Sequence, residues 1–485
     1  MAFIFINALI YSLFSKDRLC SWQLCILPLR HYTELTYFIM NLLLKSALIT
    51  LTLAFAFVNE SKATHIAGGD IGWECLGGDS FLVTYHIFRD CGNGTTLPVY
   101  NMTFTDNCGN SFTQQLPQIS VTEVSQLCPS QLNNSECNGG NLPGMMQMTY
   151  QGIVVFPPVS ASCGQVWNLT WGLCCRNANS NIVNPTSHQS FFVGTMHRDV
   201  DPCNDSPIFT AQPIPYVCQN QVVNYNYGVV ESDGDSMVYS FACGFSGLNI
   251  NLPYSAGYSC TSPIPGITID PATGQITFTP ATLGNFVVVV RVDEYDPSTG
   301  QLLSTVYRDI QIVVMSCSNL VPYLAQGIHN FTSSNGGGYV VDSNSVEVCI
   351  GDSISFDVLF VDPDNTSPGD SITLFSNIDN VLDTNSLTTI YTAGDTALMT
   401  VGWIAQPGSN PFNSYIVSAV DDACPVPGLY TVQFDITIIE ATYAGPDKNV
   451  CQGTQSSVVE VDGGSAFTWE VIYPGQTVPV PMTAG

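Results

Sequence analysis

The sequence predicts an all-β protein, a string of β-sandwiches behind a cysteine-rich β domain, and three observations carry that prediction. Helical periodicity is almost absent after residue 63. Short alternating or β-branched runs recur instead: FLVTYHIF (81–88), MVYSFAC (237–243), FVVVVRV (286–292), VYRDIQIVV (306–314), SISFDVLFV (353–361), SYIVSAV (414–420) and YTVQFDITII (430–439). Gly, Pro, Asn and Asp separate them and supply the turns. Third, the chain repeats itself: YVCQNQVVNYNYGVVESDGDSMVYSF (216–241) aligns with VEVCIGDSISFDVLFVDPDNTSPGDSITLFS (346–376). In both, a cysteine opens a strand and an acidic loop precedes the next one.

The elements begin with an export signal. In MNLLLKSALITLTLAFAFVNESKA (40–63), Lys45 precedes an apolar run, Ala47 to Val58, that is too short to span a bilayer. Ser61 and Ala63 then supply the small residues of a cleavage site, so a secretory signal peptide begins at Met40. Residues 1–39 contain a second apolar piece, MAFIFINALIYSLF, where one suffices. They are expected to be an over-extended start, with a signal anchor as the alternative. No later segment is apolar for long enough to span a bilayer, so no integral membrane segment is expected after cleavage.

Four parts follow: a cysteine-rich β domain (64–205), a first sandwich repeat (206–316), a second (317–441) and the start of a third (442–485). A chain that stops inside a domain reads as a fragment. Sixteen of the 18 cysteines follow Ala63, and none forms a C-x-x-C pair or the paired doublets of a zinc site. In an exported chain they are expected to be disulfides. The second repeat holds two, so Cys349 is expected to pair with Cys424, a closure worth roughly 4 kcal/mol by loop entropy. The adjacent Cys174 and Cys175 are expected to take different partners, and Cys451 a partner beyond residue 485.

Charge narrows the function. There are 39 acidic against 11 basic residues, and five of the basic ones, Lys16, Arg18, Arg30, Lys45 and Lys62, precede residue 64. Such a surface repels phosphate backbones and anionic lipid headgroups, which excludes nucleic acid as a partner. It attracts cations and keeps a secreted chain soluble.

Catalytic signatures are missing. The histidines after the signal, His65, His86, His188, His197 and His329, sit in no H-E-x-x-H and beside no nucleophile motif. Paired carboxylates can serve glycoside hydrolysis, but here they lie beside Gly, Pro and Ser at strand ends, where Asp is the common turn residue. The expectation is a protein that is not an enzyme.

The acidic loops carry the strongest chemical signal. VVESDGDSMVYSF (229–241) puts Glu231, Asp233 and Asp235 at alternate positions. It is not an EF-hand, which needs Gly at the sixth position and Glu at the twelfth, where Ser236 and Ala242 stand. Calcium takes six to eight hard oxygens, so carboxylates converging from several loops at a domain end are the alternative geometry. The first repeat offers Glu231, Asp233, Asp235, Asp293, Glu294 and Asp296. The second offers Asp362, Asp364, Asp370, Asp421 and Asp422 at matching places. Solvated turns that keep sheet edges from pairing are the bland reading of the same residues. RDVDPCND (198–205) is a weaker candidate of the same kind.

Residues 232–296, SDGDSMVYSF through PGITIDPATGQITFTP to FVVVVRVDEYD, resemble the cadherin-like, immunoglobulin-like repeats of bacterial surface proteins. The likeness covers 206–316 well and 317–441 loosely, because the second unit lacks IDPATGQI. ATHIAGGDIGWECLGGDSFLVTYHIFRDC (63–91) resembles the start of large exported proteins of the Bacteroidetes type, known as gliding-motility-associated or PKD-domain proteins. AGPDKNVCQG (444–453) resembles the opening of their PKD-like repeats. The resemblance implies a secreted protein of the bacterial cell surface that acts in adhesion or as a structural stalk, with surface glycans or proteins as partners. It implies calcium for the first repeat and carries over no catalytic residue. The alternative is a substrate-binding accessory of a secreted polysaccharide- or protein-degrading enzyme whose catalytic domain lies beyond residue 485.

Overall fold

A computed structural model describes residues 66–92, 101–157, 165–213, 216–317, 319–334, 338–364, 371–382 and 386–439, together with the backbone of 469–471 and 480–482. The expected signal peptide, Cys451, Asp370 and most of the third repeat lie outside these residues. Everything described belongs to one compact unit, Ala63–Gly485. It is all-β, with four short 3₁₀ turns as the only helical elements among the described residues.

The N-terminal part is built on β1 (Ile66–Gly77), β2 (Ser80–Asp90), β3 (Met145–Val155), β4 (Val166–Cys174) and β5 (Gln189–His197). The first repeat contributes β6 (Tyr216–Cys218), β7 (Val223–Tyr225), β8 (Ser236–Phe241), β9 (Thr268–Ile269), β10 (Ile276–Phe278), β11 (Gly284–Tyr295) and β12 (Leu302–Met315). One edge of β12 pairs with β11 along its whole length. The other edge takes β5 at Ser304–Val306, β1 at Arg308–Ile310 and β6 at Val313–Met315.

That arrangement corrects the boundary expected at residue 205. The cysteine-rich part and the first repeat share one 14-stranded sheet and one hydrophobic core, in which Trp73, Phe88 and Trp167 join Val288, Val292 and Ile310. Glycine makes the junction possible. A Cβ at Gly68 would press into the Asp309 carbonyl and stand 2.9 Å from Ile310 Cα, so only a bare backbone fits beside β12 there.

Arginines pin the same junction. On β12, Arg308 donates from Nε to Asp70 Oδ2 (2.9 Å) and from a terminal nitrogen to the Ala211 carbonyl (2.7 Å), and it stacks over the Phe209 ring at 4.7 Å. Asp70 Oδ1 is held by His86 Nδ1 at 2.7 Å. Burial pushes the Asp70 carboxyl up, but Arg308 and His86 together hold it below the usual carboxylate range. The neighbouring Asp309 forms a buried ion pair with Arg176.

The second repeat is a closed two-sheet sandwich. Strands β13 (Tyr323–Ser333), β15 (Ser353–Val361), β18 (Thr396–Ile404) and β17 (Leu387–Ala393) form one layer. The facing layer holds β14 (Ser345–Cys349), β20 (Leu429–Ile439), β19 (Phe412–Val420) and β16 (Thr373–Ser376). Phe356, Met399, Trp403, Val417 and Phe434 fill the space between them.

The two repeats share topology. In each, the strand ending in cysteine pairs parallel with the last strand, β6 with β12 and β14 with β20. The strand after the acidic loop pairs antiparallel with the penultimate one, β8 with β11 and β16 with β19. In the place of the β9–β10 hairpin around IDPATGQI, the second repeat has the β17–β18 hairpin, so the element missing from its sequence is present in its fold.

Disulfides join Cys75–Cys203, Cys91–Cys137, Cys218–Cys317 and Cys243–Cys260, and Cys108 is also oxidised. Two expectations are corrected. Cys174 and Cys175 bond to each other, across a cis peptide that sets their Cα atoms 3.0 Å apart. Cys424 bonds to Cys128 of the N-terminal part, not to Cys349. The reason lies in register: Cys349 stands opposite Ile439 at the far end of β20, whereas Cys424 precedes its start, roughly 30 Å away at about 3.3 Å per residue. Cys349 is itself disulfide-bonded. Around Cys128–Cys424, the Cys128 amide donates to the Pro425 carbonyl (3.0 Å), and Leu127, Tyr216 and Val426 cluster. The second sandwich is thus covalently tied to the cysteine-rich part. So many disulfides belong to an oxidising, extracytoplasmic compartment. No described helix is long and apolar enough to cross a membrane.

Candidate metal centre

Chain pairing gathers the acidic residues. Val229–Val230 pairs antiparallel with Ile208–Phe209, which lays residues 201–205 beside the loop 231–235. The Cys75–Cys203 disulfide and a 2.6 Å bond from the Cys75 amide to Asp205 Oδ1 fix the first segment to β1. The Asp205 amide donates to Asp233 Oδ2 (2.9 Å), and Ser232 Oγ donates to Asp205 Oδ2 (3.0 Å).

The loop folds around its own glutamate. Glu231 Oε1 accepts the Asp233 amide at 2.5 Å, and Oε2 accepts those of Gly234 (2.6 Å) and Asp235 (2.7 Å). Gly234, at φ +87°, allows this curl. The result brings one oxygen each of Glu231, Asp233 and Asp235 within 4.8 Å of one another, the only such grouping among the described residues.

Glu294 approaches from the sheet. It faces Met237 and Ser304 across β8 and β11–β12 and is fully buried. The Asn204 side-chain amide donates to Glu294 Oε2 at 2.6 Å. Glu294 Oε1 and Asn204 Oδ1 are buried without a hydrogen bond. The Ser304 hydroxyl lies beside the Glu294 carboxylate and, with Asn204, favours its charged form.

The electrostatics are one-sided. Burial first, then the charges of Glu231 and Asp235, push the Glu294 carboxyl up to about 8. Burial, with Asp233, Asp296 and Asp201 nearby, pushes Asp235 up to about 6. Glu231 and Asp233 are raised as well, chiefly by burial. Among the described residues no ion pair involves any of these carboxylates. The donors are hard carboxylate and amide oxygens, with no imidazole or thiolate among them, a set that fits calcium and not zinc.

The predicted residues divide. Glu231, Asp233 and Asp235 come together, and Glu294 is near enough to feel the charges of Glu231 and Asp235 without joining the group. Asp296 lies near Asp235, but its Oδ1 is occupied by the Ser298 amide and hydroxyl, which hold its carboxyl down at about 2. Asp293 is excluded by strand alternation: it points to the opposite face, bonded to Arg291 Nε (2.9 Å) and Thr305 Oγ1 (2.6 Å).

In the second repeat Asp362, Asp364 and Asp421 form no comparable group. The Asp364 amide donates to Asp362, Asp364 accepts the Leu320 amide, and Asp421 accepts Asn319 and the amides of Ala423 and Gly428. Asp422 accepts the Ser371 hydroxyl. Protein donors, two of them (Asn319 and Leu320) from the linker between the repeats, occupy these carboxylates. Asn204 was missed: its only sequence signal is membership of RDVDPCND.

No family model matches the chain, and no curated protein does. Among solved structures, one similarity is to the Dpr2 Ig1-Ig2 complex with DIP-Theta Ig1-Ig3, at 8% identity and a TM-score of 0.16 over 76% of this chain and 99% of that one. A second is to the D00-D0 domain of intimin, at 15% identity and 0.15 over 47% and 98%. A third is to a family 107 endo-fucoidan hydrolase, at 14% and 0.15 over 67% and 39%.

Proposed function

We propose that this chain is a non-catalytic exported module of the bacterial cell surface, adhesive or structural, whose acidic loop 231–235 binds calcium. The observation that carries the reading is the convergence of Glu231, Asp233 and Asp235, one oxygen of each within 4.8 Å of the others. Calcium there supplies positive charge and nothing else: the loop curls around Glu231, Asp233 orients the 201–205 segment, and Asp235 offers a carboxylate that accepts no hydrogen bond from any described residue. The Cys128–Cys424 bridge ties the second sandwich to the cysteine-rich part without any ion, so calcium at the loop would act locally. Assignment to a Bacteroidetes surface, and to gliding, rests on the resemblance of residues 63–91. Calorimetric titration of calcium into chelator-stripped protein tests the reading. Micromolar to millimolar binding with a rise in melting temperature is expected; no heat and no shift would leave a solvated turn.

A second reading is a substrate-binding accessory, and one observation favours it. By register, Tyr323, Tyr391 and Leu387 share the outer face of the β13–β15–β18–β17 sheet, and they are 46%, 69% and 69% exposed. Such rings can stack on sugars. A glycan array that stays blank, with Tyr391→Ala indistinguishable from wild type, would remove it.

A further inference from the structure

We propose that β17 (Leu387–Ala393) is a self-association edge, at which two copies of this chain pair antiparallel about a two-fold axis through Ile390 and join their layers into one continuous sheet.

Among the described residues β17 pairs only with β18, so one side of its backbone faces away from the sheet. The turn decides which residues present that side. Ala393 pairs with Thr396 across Gly394 and Asp395, with Gly394 at φ +60° as the first central residue of a primed turn, and the residues flanking such a hairpin exchange hydrogen bonds. Alternation then bonds Leu387, Thr389, Tyr391 and Ala393 to β18 and aims the N–H and C=O of Thr388, Ile390 and Thr392 outward. Ile390 is 46% exposed, and Leu387 and Tyr391 more so. Free edges are ordinarily defended by charge, proline or a bulge. LTTIYTA carries no charged residue and no proline, and its register with β18 runs unbroken along its whole length.

Three observations make the occupant a second copy. The outward groups complement themselves: with Ile390 on the axis, Ile390 faces its twin and Thr388 faces Thr392 of the second copy, so each outward N–H meets a C=O. Charge points the same way. With 39 acidic against 11 basic residues, two copies repel across most of their surfaces, whereas β17 sets neutral side chains against neutral ones. Asp395, in the turn, would stand roughly 33 Å from its twin at about 3.3 Å per residue, beyond a screening length of about 10 Å. The opposite edge of the layer cannot extend the pairing, because the register of β13 against β15 shifts between Leu324 and Gln326, between Gln326 and His329 and between His329 and Thr332. Association therefore closes at two copies and does not grow into a filament.

The test sediments oxidised Ala63–Gly485 over a range of concentrations. Ile390→Lys sets like charges against each other on the axis, and Ile390→Pro removes the central N–H donors, a change that an edge strand tolerates on its outward side. Tyr323→Lys, on exposed β13 at the opposite edge, is the control. A concentration-dependent dimer is expected, weakened at least tenfold by each Ile390 substitution and unchanged in the control. Hydrogen exchange on wild type should show the Thr388, Ile390 and Thr392 amides gaining protection as the dimer forms, and it decides alone should the Ile390 variants fail to fold. A chain that stays monomeric at millimolar concentration overturns the proposal. So does a dimer in which these amides stay unprotected, which would place the contact elsewhere. Protection that appears only when an unrelated, uncharged, extended peptide is added would give the edge to a foreign strand and would also overturn it.

Discussion

Removing the Cys128–Cys424 bridge should uncouple the second sandwich from the rest of the protein. The bridge spans 296 residues, and with Cys91–Cys137, Cys75–Cys203 and Cys218–Cys317 short-circuiting the chain the effective loop is about 150. Chain-entropy arithmetic for that length gives about 5 kcal/mol at 25 °C, an upper figure beside the 2–4 kcal/mol usual for disulfides. By the same arithmetic the 17-residue separation of Cys243–Cys260 is worth about 3 kcal/mol. The second sandwich has its own core, so Cys128→Ser with Cys424→Ser should replace one cooperative transition by two in urea, with the lower midpoint clearly shifted. Cys243→Ser with Cys260→Ser should lower stability less and leave the number of transitions unchanged. Refutation would be a double variant at 128 and 424 that unfolds in one step at the wild-type midpoint. The hydrogen bonds from Asn226 to Gln433 and from Gln275 to Thr431 would then suffice to couple the bodies.

Other substitutions probe the shared sheet and the second acidic set. Gly68→Ala should prevent β1 from seating on β12, costing more than about 4 kcal/mol and abolishing secretion of folded protein, because the Cβ meets main chain that cannot retreat. Arg308→Met should cost about 3–5 kcal/mol by leaving Asp70 as a buried anion, and adding Asp70→Asn should recover part of the loss; urea midpoints for the single and double variants decide. Burial, aided by the charge of Asp362, raises Asp421 to about 6. The folded state therefore holds that proton more tightly than the unfolded state, and stability falls as pH rises from about 4 through about 6, by roughly 3 kcal/mol in all. Melting temperatures measured in chelator should decline over that window, and Asp421→Asn should flatten the decline; an unchanged slope would show that Asp421 ionises without penalty.

Strands were legible because their signal is local. FVVVVRV, SISFDVLFV and YTVQFDITII alternate or run apolar wherever a sheet face is buried, and each forms a strand at the expected place. Pairing partners were not legible. Nothing in VYRDIQIVV announces that its free edge takes β5, β1 and β6 in turn, since three antiparallel or parallel neighbours impose the same alternation on it. The one clue was AGGDIG, where bare backbone at Gly68 permits close approach, but glycine in a strand also marks a bulge. Cysteine counting failed for a related reason: assigning Cys349 to Cys424 presumed that each repeat closes on itself, whereas β20 carries the two cysteines to opposite ends of the sandwich. At the candidate site, spacing found Glu231, Asp233 and Asp235 because they share a loop, and alternation rejects Asp293 once Glu294 is known to point inward.

Among the described residues, the distribution of positive charge separates these carboxylates from the other buried ones. Arg176, Arg198, Arg291 and Arg308 neutralise Asp309, Asp79, Asp293 and Asp70. Asp70, Asp293 and Asp309 stand within strands and Asp79 in the turn between β1 and β2, and each could have been read from sequence as an acidic ligand with equal right. What separates them from Glu231, Asp233, Asp235 and Glu294 is the partner and not the residue type. A chain with 11 basic residues, five of them before residue 64, cannot match every carboxylate it gathers. A buried Glu294 without an arginine then has two neutral states open to it, a proton or a bound cation. With its carboxyl raised to about 8, chiefly by burial, Glu294 holds its proton at neutral pH.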